Sequence, residues 1–170
     1  MSNNVRRITY TAVAAAIVFT VTRLVVIPIG TSGGYVNLGD ITIYISAYLL
    51  GGPIAAVAAA IGSALSDLTT PWAFYAPATF VIKGLMGLAA GAILKRSRGF
   101  AMFALSSFLG GAIMITGYAL FDTITVGWAT ALANAIPFNL FQWGGCVIVA
   151  LVLYPFLIRI LKVTHFDELR

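Results

Sequence analysis

Charged residues are scarce in this sequence. Only 9% of its 170 residues are charged, whereas 61% are hydrophobic, and an ordinary soluble domain carries roughly a quarter charged residues. A soluble fold needs polar side chains to cover its surface, so this composition excludes water as the main solvent. We therefore predict an integral membrane protein whose outer surface is covered by lipid.

Cysteine and histidine are almost absent. Cys146 is the only cysteine, so no internal disulfide and no paired-thiol metal site can form. The only histidine, His165, stands near the end of the sequence, which excludes a His-based metal site and a Ser-His hydrolase within the membrane. The aspartates of the apolar region lie on different segments and form no magnesium-binding motif. We expect no metal, no cofactor and no enzymatic activity.

Motifs for nucleotides and nucleic acids are also missing. No Gly-x-x-x-x-Gly-Lys-Ser/Thr run is present, so the chain cannot hold ATP in a P-loop and cannot itself be an ATP-driven motor. The net charge of +5 comes from residues too few and too scattered for a phosphate-binding face. We expect no nucleic-acid partner.

Long apolar runs fill the rest of the chain. A span needs about 20 mostly apolar residues, so six spans use roughly 120 and leave short loops within one domain, residues 1–170. The first run is too long for a signal peptide and indicates a retained helix. The sequence predicts an all-α bundle of six transmembrane helices, covering Ile8–Pro28, Val36–Leu50, Pro53–Leu68, Pro77–Leu94, Phe100–Phe121 and Ala135–Leu161.

Basic residues outside these helices predict the topology. With six helices, all of them fall on one side, and the positive-inside rule makes that side the cytoplasm. Both termini are then cytoplasmic, and the loops near residues 30–37, 69–77 and 122–134 face outside. The basic residues are Arg6, Arg7, Lys95, Arg96, Arg98, Arg159, Lys162 and Arg170.

Five charged residues map to the outer half of the predicted bundle. A charge within a span costs several kcal/mol unless it is paired or faces a wet cavity, so such residues are usually functional. They predict an outward-facing polar pocket; alternatively they pair with one another, for example Lys83 with Asp67, or snorkel to the interface. The five are Arg23, Asp40, Asp67, Lys83 and Asp122.

Spacing along two helices refines this prediction. Thr79, Gly87 and Gly91 share a stripe with Lys83, and small residues there indicate packing against protein.

On the first helix, Ala12 and Ala16 form a small-xxx-small surface for close helix contact, within the protein or with a partner. Arg23 falls close to the same face as Ala12, so either this helix bends or Arg23 lies outside the pocket.

Aromatic and amide side chains gather at the same outer level. Ligand pockets combine aromatic walls with a few polar anchors, although Trp and Tyr also form interfacial belts. The belt explanation does not apply to Asn139 and Gln142, which lie inside a span. The candidate ligand-binding residues are Asn37, Asp40, Asp67, Trp72, Tyr75, Lys83, Tyr118, Asn139 and Gln142.

Four short motifs follow one another through the first four predicted helices. They are Tyr35-Val36-Asn37-Leu38-Gly39-Asp40, Leu50-Gly51-Gly52-Pro53, Gly62-Ser63-Ala64-Leu65-Ser66-Asp67 and Tyr75-Ala76-Pro77-Ala78-Thr79-Phe80-Val81-Ile82-Lys83-Gly84-Leu85. In sequence and spacing they resemble motifs of the S components of energy-coupling factor (ECF) transporters, whereas the last two helices match only in length and hydropathy.

This resemblance implies a vitamin-binding subunit of the bacterial cell membrane. It would capture its ligand from outside and dock on a transmembrane coupling protein with two cytoplasmic ATPases, through an Ala-x-x-x-Ala surface that Ala12 and Ala16 fit. The loop Gly30–Asn37 would gate the pocket. The chain lacks the riboflavin and thiamine signatures, and overall similarity places cobalamin first, followed by hydroxymethylpyrimidine- or pyridoxine-like compounds.

A self-sufficient secondary transporter or small channel is the competing interpretation. Proton-coupled carriers place ionisable groups near the midplane, often in two related halves. This sequence shows neither a clear internal repeat nor a central carboxylate, which favours the S component.

Overall fold

The structure is a computed structural model that describes residues 3–29 and 34–164. Its two strands are β1 (Val26–Ile29) and β2 (Gly34–Asn37), and a 3-10 turn covers Ala73–Tyr75. A helical turn, Trp128–Thr130, and a π-helical turn, Ala131–Ala135, precede the last helix. The long helices are α1 (Asn3–Leu24), α2 (Gly39–Leu50), α3 (Gly52–Leu68), α4 (Ala76–Leu94), α5 (Phe100–Thr125) and α6 (Ile136–Val163).

Helix α2 is the centre of the bundle. It contacts all five other long helices, and ten of its twelve residues are buried. Tyr48 packs edge-on against the rings of Phe103 and Tyr154, at centroid distances of 5.5 and 5.8 Å. A helix that is apolar on every side is stable only inside a bundle. The first turn of α2 is therefore held in the interior, next to the hairpin formed by β1 and β2.

Small residues bring α3 close to its neighbours. A Cβ atom added at Gly87 would lie 2.7 Å from the Cα atom of Ala56, and one added at Gly91 would collide with the backbone of Gly52. On the other side of α3, a Cβ atom at Gly62 would lie 2.5 Å from the carbonyl oxygen of Ala15. The prediction that the Lys83 stripe packs against protein is confirmed.

The segment between α1 and α2 differs from the sequence prediction. The first helix was expected to reach Pro28 and the second to begin at Val36, and both boundaries are wrong. Residues 26–29 instead pair antiparallel with residues 34–37, with Val26 opposite Asn37. The β-branched side chains of residues 25–27 favour extended backbone, and Pro28 lacks the N–H that would continue a helix. The all-α bundle thus includes a short β-hairpin.

The predicted helix ends at Leu50, Leu68 and Leu94 are confirmed. Four segments of the described chain are long and apolar enough to cross a membrane, whereas α2 and α3 are apolar but shorter. The six-span count and the cytoplasmic termini stay predictions. The four segments are Asn4–Leu24, Ala73–Leu94, Phe100–Thr125 and Trp128–Val163.

Successive long helices run in opposite directions, so the segments that connect them lie alternately at the two ends of the bundle. We call the end with the β-hairpin and residues 69–75 the hairpin end, and the end with residues 95–99 the basic end. Thr70 and Ser97 follow α3 and α4 respectively and therefore lie at opposite ends.

The topology predicts that only one of these two positions is reachable from outside. In a Cys146→Ala background, Thr70→Cys should react with a membrane-impermeant thiol reagent on intact cells. Ser97→Cys should react only after permeabilisation, because the basic residues beside it are expected in the cytoplasm. Labelling of both positions on intact cells would contradict the six-helix topology.

Candidate functional site

A buried ion pair joins α4 to α2 near the hairpin end. The Nζ atom of Lys83 lies 2.5 Å from Oδ1 of Asp40, and the two side chains are only 4% and 1% exposed. Asp40 lies in the first turn of α2, where the helix dipole favours a carboxylate. The pair suggested from the sequence, Lys83 with Asp67, is wrong, because Lys83 bonds Asp40 instead.

Gln142 of α6 completes this arrangement. Its Nε2 atom donates to Oδ2 of Asp40 at 3.0 Å, and its Oε1 atom accepts the backbone N–H of Asn37 at 3.0 Å. The thioether of Met114 on α5 lies 3.3 Å from both Lys83 Nζ and Gln142 Nε2. Both oxygens of the Asp40 carboxylate therefore have donors. We call these five residues the central polar network.

The central polar network also fixes the end of β2. The Oδ1 atom of Asn37 accepts the N–H of Gly39 at 3.0 Å, and the Cys146 thiol lies 3.5 Å from the Asn37 carbonyl oxygen. Together with the Gln142 bond, these contacts hold Asn37 between α2 and α6. Four residues selected from the sequence are thus brought together: Asn37, Asp40, Lys83 and Gln142.

A second chain of hydrogen bonds connects α3, α4 and α5. The Thr79 hydroxyl donates to Oδ2 of Asp67 at 2.5 Å, and the Tyr118 hydroxyl lies 2.9 Å from Thr79 Oγ1. Because the single hydroxyl proton of Thr79 goes to Asp67, Tyr118 is the donor in the second bond. The ring of Tyr118 lies 5.6 Å from Lys83 Nζ, within cation–π range.

Aromatic rings cover this chain on the hairpin side. Tyr75 is central: its ring centroid lies 5.3 Å from that of Phe121 and 6.3 Å from that of Tyr118. Phe74 packs on both Tyr75 and Phe121, and Trp72, 39% exposed, packs edge-on against Tyr75. We call these five residues the aromatic cluster. It offers half-exposed ring faces beside buried polar groups.

Asp122 adjoins the aromatic cluster. Its side chain is buried and lies near the Tyr75 hydroxyl. Asp122 is one of the five outer charges predicted from the sequence but is not among the candidate ligand-binding residues. It follows Tyr118 by four positions on α5, so both side chains lie on one helix face. That spacing could have identified it.

The remaining candidates are spread more widely. Asn139 is half-buried on α6, three residues before Gln142, and therefore shares its face. Arg23 is exposed at the end of α1, and Trp128 is 59% exposed, as an interfacial residue would be. The predicted gate falls partly on residues 30–33, which lie outside the described residues.

Within the described ranges, no group of three His, Cys, Asp or Glu residues could hold a metal ion.

The two alanines proposed for docking lie elsewhere in the bundle. Ala12 and Ala16 are exposed and line a groove of about 980 Å³ between α1 and α3. Its other walls are mostly apolar side chains of α3, such as Val57 and Ile61. Ala14, by contrast, is buried in the bundle. The central polar network, between α2, α4, α5 and α6, is on another side of the protein.

The ion pair predicts a strong dependence of stability on charge balance. Lys83→Met leaves the buried Asp40 carboxylate without its cation, which should cost about 3–5 kcal/mol of stability. The melting temperature of the purified protein in detergent should fall accordingly.

Asp40→Asn combined with Lys83→Met removes both charges and should recover most of that loss. The matched control is Lys95→Met, at an exposed lysine one helical turn beyond Gly91, where the Lys83 stripe ends. It should leave the melting temperature unchanged. A single Lys83→Met variant that melts like the wild type would contradict this account.

Comparison with known proteins agrees with this architecture. A solved structure described as the S component of a bacterial ECF transporter superposes with a TM-score of 0.75, at 18% identity, over 94% of this chain and 99% of that one. The crystal structure of an S component for biotin from an ECF-type ABC transporter gives 0.72, at 20% identity, over 95% of each chain. At these identities the likeness shows a shared fold.

Sequence relatives extend the comparison. The thiamine precursor transporter HmpT of Lactococcus lactis subsp. cremoris (strain MG1363) is 28% identical over 159 residues, 93% of this chain and 91% of HmpT. A protein of Pyrococcus woesei known as the uncharacterized protein in gap 3′ region is 37% identical over 115 residues, 66% of this chain and 76% of its own length. The model of a family described as ECF-type riboflavin transporter, S component, matches residues 2–159. The chain therefore belongs to this family of ECF transporter S components, which are membrane-embedded transport subunits and not enzymes.

Proposed function

We propose that this chain is the substrate-binding S component of an ECF-type ABC transporter in a bacterial cell membrane. It captures a vitamin or vitamin precursor from outside the cell for ATP-driven uptake. S components of this family bind small vitamins and work with a membrane coupling protein and ATPases. The observation that carries the proposal is the family match over residues 2–159, in a chain that gathers polar and aromatic side chains at one end of its bundle.

We assign ligand binding to the hairpin end. Half-buried or exposed side chains outside the central polar network contact the ligand there, whereas the members of that network and the buried Asp67 support them. The contacting residues are Trp72, Tyr75, Tyr118 and Asn139, and the supporting residues are Asn37, Asp40, Asp67, Lys83 and Gln142. Aromatic faces with a few polar anchors suit a small heteroaromatic ligand.

For the ligand, we favour a thiamine precursor of the hydroxymethylpyrimidine type. Overall sequence similarity favours cobalamin first, but neither relative reported above is named for cobalamin, and HmpT matches along most of both chains. The family is named for riboflavin, although the chain lacks a riboflavin signature. The likeness to the biotin S component supports the fold alone. Hydroxymethylpyrimidine, the second choice from the sequence, therefore becomes the first.

Native purification tests the proposed function. The protein should be extracted from its own membranes in mild detergent, without added ligand, and analysed by mass spectrometry for bound small molecules and copurifying proteins. We expect a vitamin or precursor together with a membrane coupling protein and two ATPases. A preparation with neither the small molecule nor the partner subunits would contradict the proposal.

Docking of the coupling protein should depend on small side chains in the α1–α3 groove. Ala12→Trp and Ala16→Trp fill the exposed strip where a partner helix would approach closely. We expect ligand binding by the isolated protein to stay normal, and copurification of the partners and ATP-driven uptake to be lost. Ala92→Trp, at an exposed alanine of α4 outside this groove, is the matched control and should keep the partners bound.

Two outcomes would contradict this docking surface. If the tryptophan variants also lose the ligand, the strip is internal packing. If they keep both partners and uptake, the coupling protein docks on another face of α1.

A further inference from the structure

Asp122 differs from the other aspartates of the bundle. Its side chain is 3% exposed, and its Oδ1 atom is buried without a hydrogen-bond partner in the described part of the chain. Both carboxylate oxygens of Asp40 have donors, and Asp67 accepts the Thr79 hydroxyl. A buried, unpartnered carboxylate oxygen is costly in an apolar bundle. Such a group is usually retained for function.

The surroundings of Asp122 indicate what kind of partner would satisfy it. The Tyr75 hydroxyl lies near the same carboxylate, and the Tyr75 ring packs against Phe121 and Tyr118. A flat ligand stacked on these faces would bring its edge to the carboxylate. A carboxylate accepts hydrogen bonds and repels anions, so that edge must carry an N–H or O–H donor or a positive charge.

We propose that Asp122 determines ligand specificity, because its free Oδ1 atom accepts a hydrogen bond from an N–H group on the edge of a flat heteroaromatic ring. Aminopyrimidines, which carry an exocyclic amino group beside a ring nitrogen, are the class that fits. The aromatic cluster holds the ring faces, and Asp122 reads the polar edge of the ring. Ligands whose polar end is a carboxylate are rejected by charge. This inference rests on the proposed function and names the chemical group that the site selects.

Calorimetry on the purified full-length protein tests the proposal with two probes. One probe is hydroxymethylpyrimidine with its amino group, and the other is the same ring with that amino group replaced by hydrogen. The wild type should bind the amino compound about 10- to 100-fold more tightly than the analogue. The analogue lacks the N–H donor and therefore leaves the Oδ1 atom of Asp122 without a hydrogen bond. Asp122→Asn is nearly isosteric and should reduce that preference about 10-fold or more, mainly by weakening binding of the amino compound.

Two further variants separate specificity from folding. Thr125→Val changes an exposed threonine on the same helix whose hydroxyl bonds only the Phe121 carbonyl, and it should bind both probes like the wild type. Tyr75→Phe keeps the aromatic ring and the carboxylate; it can weaken binding of both probes, but it should keep the ratio of affinities that favours the amino compound. If Asp122→Asn does not fold, the two probes on the wild type still decide, since equal affinities would overturn the proposal.

The remaining outcomes distinguish this proposal from the proposed function. A wild type that binds biotin or riboflavin but not the aminopyrimidine would overturn the role of Asp122 and leave the S-component function intact. An unchanged preference in Asp122→Asn, or a preference lost only in Tyr75→Phe, would also overturn it. A wild type that binds none of these vitamins and copurifies with no partner subunit would overturn both.

Discussion

The buried ion pair between Lys83 and Asp40 is the constraint on which the rest of the structure depends. Two charges within an apolar bundle are stable only when they are paired and hydrogen-bonded. Here the pair fixes the start of α2 against α4, while Gln142 ties the same carboxylate to α6 and to the end of the β-hairpin. The central position of α2 and the placement of β2 both follow from these contacts.

This arrangement separates support from recognition. The central polar network uses its own hydrogen-bonding groups internally, so it holds the hairpin end in shape and has little left to offer a ligand. The aromatic cluster and Asp122, one layer further out, keep exposed ring faces and one unpartnered oxygen. A binding subunit needs both parts, because a weak polar anchor becomes selective only when a rigid scaffold positions it.

Much of this structure could be predicted from the sequence, and the failures have physical causes. The low charge content, the Gly and Pro punctuation and the Lys83 stripe correctly indicated the membrane class, several helix ends and the packed face of α4. The β-hairpin was missed because Val25 to Ile27 are apolar enough to continue a helix. The partner of Lys83 was misassigned, since Asp67 is close in sequence whereas Asp40 is brought near only by the central placement of α2. The four-residue spacing of Asp122 from Tyr118 indicates a shared helix face, but the unpartnered oxygen of Asp122 is visible only in three dimensions.

The most direct test of the account is uptake by the purified chain in proteoliposomes, with and without its partners. The central claim is that this chain binds a vitamin precursor but cannot drive its transport. Labelled hydroxymethylpyrimidine should accumulate only when the coupling protein, both ATPases and ATP are present. Accumulation by the chain alone, under an ion gradient and without ATP, would contradict the account and identify a self-sufficient secondary transporter.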